Sequence, residues 1–581
     1  MGNICTILPY CLHFFYLIIP YANRYNTIVS RTEFMLMHNS EPMPQMIKIK
    51  CQQAILLLLI VLLSACGGSA PTGTDTQVAA ETLAPEPITP DPITIVTPPV
   101  TTPIAQPSAT DIELSTLITA NNLNIEPLLN REIPDITSPL ANLGRKLFFS
   151  KSLGGGQDTA CASCHHPMLA GADQLSLPIG VEAIDSNVLG QGRINDNGIP
   201  RVPRNSPTVF NIALWDSGLF WDSRIESITK EPSANGALSA ITTPDSGFGI
   251  VDVNTGANLV AAQAKFPVTS SAEMKTVDFE NNSNNAAIRQ HLAARIGDYD
   301  EGANELFINF WLAEFQLAFN STASARQLIT FENIAHAIAE YERSMVFIQS
   351  PWQNYLDGDL TALTESEKLG ALLFFQLPAD GGAGCSACHS GTLFSDEMHH
   401  TVAFPQIGTG IGAGENIDDD IGRGAITGLE QQNYQFRTPS LLNIAQTAPY
   451  GHAGTYPTLE RVLDHYNNPQ RSASNYANNQ DWCQLRQFSN IANCQLLYPN
   501  AVTNTQAAIN QLNQARAAGT SRLAPSNLNN QEMTQLVSFL ESLTDPCIED
   551  RVCMSPWIAD AITDNPDGNV LVAIDINAEE L

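Results

Sequence analysis

The chain has 581 residues, 44% of them hydrophobic and 15% charged, which is enough for two or three domains around a sizeable core. Its formal net charge is −31, and its 28 Lys and Arg are scattered, which excludes the clustered basic surface that nucleic acid requires. A basic redox partner is compatible with that charge.

Residues 1–66 read as an extension and a lipoprotein signal. Ala54–Leu63 is an unbroken apolar run, preceded by Lys48 and Lys50 and followed by Leu63-Ser64-Ala65-Cys66. A basic start, a short apolar stretch and small residues before a cleavage point make a secretory signal. The run is too short to span a bilayer comfortably. Cysteine directly after Leu-Ser-Ala resembles the bacterial lipobox, so Cys66 is expected to become a lipidated N-terminus. The chain is then periplasmic and membrane-tethered, with Gly67 fitting outer-membrane sorting. Met46 is a natural start, and residues 1–45 read as an over-extended gene start. Residues 67–108, rich in Pro and Thr with almost no aromatics, form a flexible tether.

Beyond the tether the chain repeats itself. Leu143-Gly144-Arg145-Lys146-Leu147-Phe148-Phe149 leads to Cys161-Ala162-Ser163-Cys164-His165, and Leu369-Gly370-Ala371-Leu372-Leu373-Phe374-Phe375 leads to Cys385-Ser386-Ala387-Cys388-His389. Each copy begins as an amphipathic helix, and Thr364 with Glu367 offers the second a capping box. Helical periodicity recurs over Thr330–Ile348 and Gln531–Leu543, and strand-like alternation is scarce. The expected fold is mostly α: two cytochrome c-like haem domains packed together, with long loops and insertions. The expected divisions are 109–350, 351–560 and a tail, 561–581.

C-x-x-C-H is the attachment signature of c-type haem. The two thiols add to the haem vinyl groups, and the adjacent histidine supplies the proximal imidazole. Zinc would want a second Cys or His pair near each site, and a redox dithiol does not need the histidine. Cys161, Cys164 and His165 therefore hold one haem, and Cys385, Cys388 and His389 another. Cys483, Cys494, Cys547 and Cys553 are expected to close two local disulfides, 483–494 and 547–553, paired by proximity.

Several motifs together resemble the bacterial di-haem cytochrome c peroxidases and MauG. They are LGRKLFF with CASCHHP, Arg204-Asn205-Ser206-Pro207-Thr208, Phe220-Trp221-Asp222-Ser223-Arg224, Gln263 with Glu273-Met274, CSACHSG, Arg437-Thr438-Pro439-Ser440-Leu441, Thr447-Ala448-Pro449-Tyr450 and Thr458-Leu459-Glu460 running to Tyr466. The resemblance covers about residues 138–545 and implies that the first haem is peroxidatic. A removable distal His would fall some sixteen residues beyond His165, where this chain has Val181. The implied site is five-coordinate, because His166 and Met168 follow the proximal His too closely to reach the other face. Gln263 and Glu273, ten apart, match the acid–base pair. Trp221 matches an inter-haem hole relay. Asn205, Thr447 and Pro449 match a calcium site between the domains. Tyr466 falls at the distal position of the second haem, with Met398, His400, His452 and His465 as rivals. The chain departs from the family in long insertions, 225–262 and 467–525.

The resemblance thus implies a di-haem peroxidase that reduces hydrogen peroxide. A small cytochrome c or cupredoxin would give electrons through the His/Tyr haem. The alternatives are a MauG-like oxidase that modifies a partner protein, and a di-haem electron carrier without catalysis.

Overall fold

A computed structural model describes residues 106–581; the signal, Cys66 and nearly all of the tether lie outside the described residues. In chain order the helices that build the site are α1 (Ala109–Ala120), α2 (Pro139–Phe149), α3 (Leu259–Gln263), α4 (Asn285–Gly297) and α5 (Phe331–Ser344). There follow α6 (Glu365–Phe375), α7 (Leu459–Asn467), α8 (Pro469–Asn479), α9 (Ala501–Ala517) and α10 (Asn530–Glu541). Threonine starts three of them. The hydroxyls of Thr330, Thr364 and Thr458 accept from the amides of Asn333, Glu367 and Arg461, satisfying helix-end donors. Glu367 closes the expected capping box by accepting from the Thr364 amide.

The repeat is a pair of crossed helices. A Cβ on Gly144 would collide with the Ala337 carbonyl, and one on Gly370 with that of Gln535. α2 therefore crosses α5, and α6 crosses α10, at a point where only glycine fits. Around the first crossing Leu143, Leu147 and Phe148 pack with Ile334, Ile338 and Tyr341. Around the second, Phe374 and Phe375 pack with Leu536, Phe539 and Leu540. Each such side chain contributes about 1.5–3 kcal/mol by leaving water.

Strands are short. β1 (Gly218–Leu219), β2 (Ile225–Ser227) and β3 (Ile241–Thr242) form an antiparallel sheet with Leu219 opposite Ile225 and Ser227 opposite Ile241. β4 (His399–Thr401) pairs antiparallel with β5 (Gln435–Arg437), His400 opposite Phe436.

Two segments cross between the cores. α1 joins the second: Lys368 pairs with Asp111 at 2.8 Å, and the Tyr355 hydroxyl donates to Asp111 at 2.8 Å. The tail joins the first. The Leu571 amide donates to the Phe149 carbonyl at 2.8 Å, and Val570, Leu571 and Ala573 are buried there. The insertion 225–262 supplies β2, β3 and most of α3. The insertion 467–525 supplies α8 and α9, and its Tyr476, Trp482, Phe488 and Tyr498 form an apolar core together with Leu177, Phe404 and Tyr456 from outside it. The disulfides join Cys483 to Cys494 and Cys547 to Cys553, as proximity suggests.

Candidate active site

Each C-x-x-C-H segment is one tight turn. The Cys161 carbonyl accepts from the amides of Cys164 (3.2 Å) and His165 (3.1 Å), and that of Cys385 from Cys388 (3.2 Å) and His389 (2.9 Å). The His165 Nδ1 donates to the Gly171 carbonyl at 3.1 Å and the His389 Nδ1 to that of Phe394 at 3.0 Å. A carbonyl can only accept, so each Nδ1 carries the proton and each Nε2 keeps a free lone pair. Burial pulls the His165 imidazole down to about 4 and lowers that of His389 as well, so both rings stay neutral. None of the four cysteines is in a disulfide.

Both turns open on one continuous cavity of about 1340 Å³. Paired thiols beside a neutral imidazole with a free Nε2, twice over in a large apolar-walled space, fit two covalent c-type haems. Zinc fits poorly. Cys388, Asp396 and His400 offer ligand atoms within 4.8 Å of one another, but the His400 Nε2 is already bonded to Asp396 at 2.8 Å.

Glu273 and Gln263 line this cavity with His165. Burial raises the Glu273 carboxyl above the ordinary glutamate range, opposed by the positive charge of Arg224. Val181 is buried outside the lining, its amide directed at the Ala272 carbonyl at 3.4 Å. His166 lies in the core edge-on to Phe149, ring centroids 5.5 Å apart, and its Nδ1 accepts from the Met168 amide at 3.2 Å. Neither it nor Met168 lines the cavity.

At the second turn Tyr466 lines the cavity, coupled electrostatically to Cys385 and Cys388, and its hydroxyl makes no hydrogen bond among the described residues. Most rivals are otherwise engaged. His465 uses both ring nitrogens, on the Tyr456 hydroxyl (3.0 Å) and the Val402 carbonyl (2.8 Å). Met398 is 49% exposed and outside the lining. His452 stacks on Phe436 with centroids 3.9 Å apart and keeps an unpartnered Nε2, beside Arg204 and Asp420 rather than the second turn.

Trp221, Asn205, Thr447 and Pro449 also border the cavity. The Trp221 indole donates to the Asn205 carbonyl at 2.9 Å, and the Asn205 amide group donates to the Leu175 carbonyl at 2.8 Å, leaving its Oδ1 free of hydrogen bonds. Hard oxygens of this kind suit Ca²⁺. Below them Arg204 grips Asp420 with two bonds (2.6 and 2.8 Å) and Asp222 with a third (2.5 Å). Two carboxylates around one guanidinium satisfy its buried charge.

Two cavity residues carried no role in the sequence reading. Arg437 stacks on Trp215 with its guanidinium 3.5 Å from the ring centroid and keeps an unpartnered Nη1. Glu342 on α5 is 4% exposed, bonds to nothing through Oε2, and is raised by burial to about 8. In Glu340-Tyr341-Glu342-Arg343 it reads as one more helix-surface charge, and no local signal marks it.

Two haem-attachment turns opening on one shared cavity, with a carboxyl in its wall, fit a di-haem c-type cytochrome. Residues 138–361 match the family described as di-haem cytochrome c peroxidase. The methylamine utilization protein MauG of Methylorubrum extorquens is 28% identical over 333 residues, covering 57% of this chain and 69% of that protein. The cytochrome c551 peroxidase of Pseudomonas aeruginosa is 27% identical over 369 residues, covering 64% of this chain and 82% of that one. Among solved structures, the diheme peroxidase BthA of Burkholderia thailandensis is 20% identical, with a TM-score of 0.45 over 77% of this chain and 92% of that one. Over residues 138–361 the chain matches this family of oxidoreductases, and its similarity to MauG and to the cytochrome c551 peroxidase covers 57% and 64% of its length.

Proposed function

We propose that the first half reduces hydrogen peroxide to water at the haem held by His165, drawing two electrons per peroxide through the haem held by His389 and Tyr466 and two protons from solvent. The bound haems supply the iron that takes up peroxide and the path for the electrons. The chain supplies the rest. Glu273 as carboxylate takes the proton from one peroxide oxygen and returns it to the other, so that water leaves; Gln263 orients the peroxide. Trp221, between the two turns, relays electrons. Asn205 Oδ1 with the carbonyls of Thr447 and Pro449 holds calcium at the junction. The electron donor is a small cytochrome c or cupredoxin, and the chain is anchored by lipid on Cys66 in the periplasm.

The observation that carries this reading is the half-buried Glu273, its carboxyl raised by desolvation, in one wall with Gln263 and His165. Its test is Glu273→Gln, which keeps size but cannot shuttle the proton. Stopped-flow mixing with peroxide should show the Soret change slowed about 10²-fold or more, with both haems loaded. The wild-type rate should fall on the acid side, at a pH above the ordinary glutamate range because burial raises this carboxyl; the mutant should lose that limb. A mutant as fast as wild type would remove Glu273 from the mechanism. The unbonded hydroxyl of Tyr466 favours one second reading, oxidation of a partner protein, because a phenolate ligand stabilises higher-valent iron.

A further inference from the structure

Where the insertion 467–525 meets the other half of the molecule, one glutamine binds the backbone of Leu177 at both of its polar groups. The Leu177 amide donates to the Gln487 Oε1 at 3.2 Å, and the Gln487 Nε2 donates to the Leu177 carbonyl at 2.6 Å. A side-chain amide thus pairs with both backbone groups of one residue, as a neighbouring strand would. The Leu177 side chain is fully buried in the apolar core it shares with Trp482, Leu485 and Phe488. Gln487 is carried on the loop closed by Cys483–Cys494, and the Trp482 indole donates to the Cys494 carbonyl at 2.9 Å inside it. Gln487 is therefore held on a stiffened support.

Leu177 begins a short strap that ends against Glu273. Pro178 lines the haem cavity. The Arg193 guanidinium donates to the carbonyls of Ile179 (2.6 Å) and Gly180 (2.7 Å), and the Thr159 hydroxyl donates to that of Gly180 at 3.0 Å. A Cβ on Gly180 would collide with the backbone of Ala272 and Glu273, so the strap lies directly on the chain that carries the carboxyl. We propose that the insertion is a clamp: through Gln487 it fixes the strap 177–181, and through the strap it positions Glu273, making Gln487 a positioning residue for the peroxide reaction. The clamp rests on geometry; its link to catalysis rests on the function proposed above.

The experiment is hydrogen–deuterium exchange on the haem-loaded full chain, paired with the pH profile of the peroxide reaction. In Gln487→Leu, which loses both bonds, the amides of 175–181 should exchange about 10-fold faster or more, while α2 and α5 stay protected. Gln487→Glu keeps the acceptor and loses the donor, and should fall between. Arg486→Ala, which breaks only an exposed bond to Gln191, should match wild type. In Gln487→Leu the acid limb set by Glu273 should shift. Exchange equal to wild type would overturn the clamp. Faster exchange with an unaltered limb and rate would overturn its link to Glu273. If the wild type fails to reduce peroxide, the proposed function falls, and the exchange comparison still decides the clamp.

Discussion

Replacing Glu342 with glutamine should make the protein more stable as pH rises. The carboxyl is buried without a partner, and its pKa lies at about 8 in the fold against the ordinary 4.5. Because the folded value is the higher one, the fold is penalised once the unfolded chain can ionise. Below pH 4.5 both states are protonated and there is no penalty. Between the two values stability falls by roughly 1.4 kcal/mol per pH unit, reaching about 3 kcal/mol at neutrality and levelling near 5 above the folded pKa. Glutamine cannot ionise, so the variant escapes this slope. For a chain of this size unfolding entropy is on the order of 1 kcal/mol per degree, so the unfolding temperature should rise by about 3 °C at neutral pH. Near the ordinary pKa of a glutamate that gain should vanish. The assay is calorimetry of the haem-loaded wild type and Glu342→Gln across this range. Any constant difference between the two side chains cancels in the comparison, leaving the slope. Parallel curves would refute the assignment of an unpartnered neutral acid to the first haem's wall.

Three further outcomes are expected. Tyr466→Met should raise the reduction potential of the second haem, because a thioether favours ferrous iron and a phenolate ferric; an unchanged value in spectroelectrochemical titration would remove Tyr466 as its ligand. Cys385→Ala with Cys388→Ala should lower the denatured mass by one haem, and an unchanged mass would contradict attachment at the second turn. Gly144→Ala should lower the denaturant midpoint by an amount equivalent to about 1–3 kcal/mol or more, since the added methyl meets a backbone carbonyl; a midpoint equal to wild type would refute the close crossing of α2 and α5.

What was legible in the sequence was what is local. The C-x-x-C-H turns close within five residues, and the threonine caps act within four, so pattern alone locates them. The repeated Leu-Gly was visible as a repeat, but its reason, a helix crossing, involves Ala337 and Gln535 far along the chain. Pairs that join distant segments were silent. Arg204 and Asp420 stand 216 residues apart and Leu177 and Gln487 310 apart, and nothing near either member announces the other. α1 and the tail each pack on the core that sequence order would assign to the other half. Glu342 shows the same limit in burial: Glu340, Arg343 and Ser344 beside it are polar, yet it is buried in the wall of the haem cavity.

The return of the tail to the first core also sets a clock on assembly. Leu571, which completes the packing around Phe149, follows Cys161 by 410 residues. At about 5–20 residues per second, tens of seconds separate the appearance of the first haem-binding thiols from that of the residues that finish their enclosure. During that interval Cys161 and Cys164 stand in an unfinished core, open to the machinery that must join haem to them. The second pair waits less long, because α10, which completes the packing around Phe374, ends at Glu541, 153 residues after Cys388.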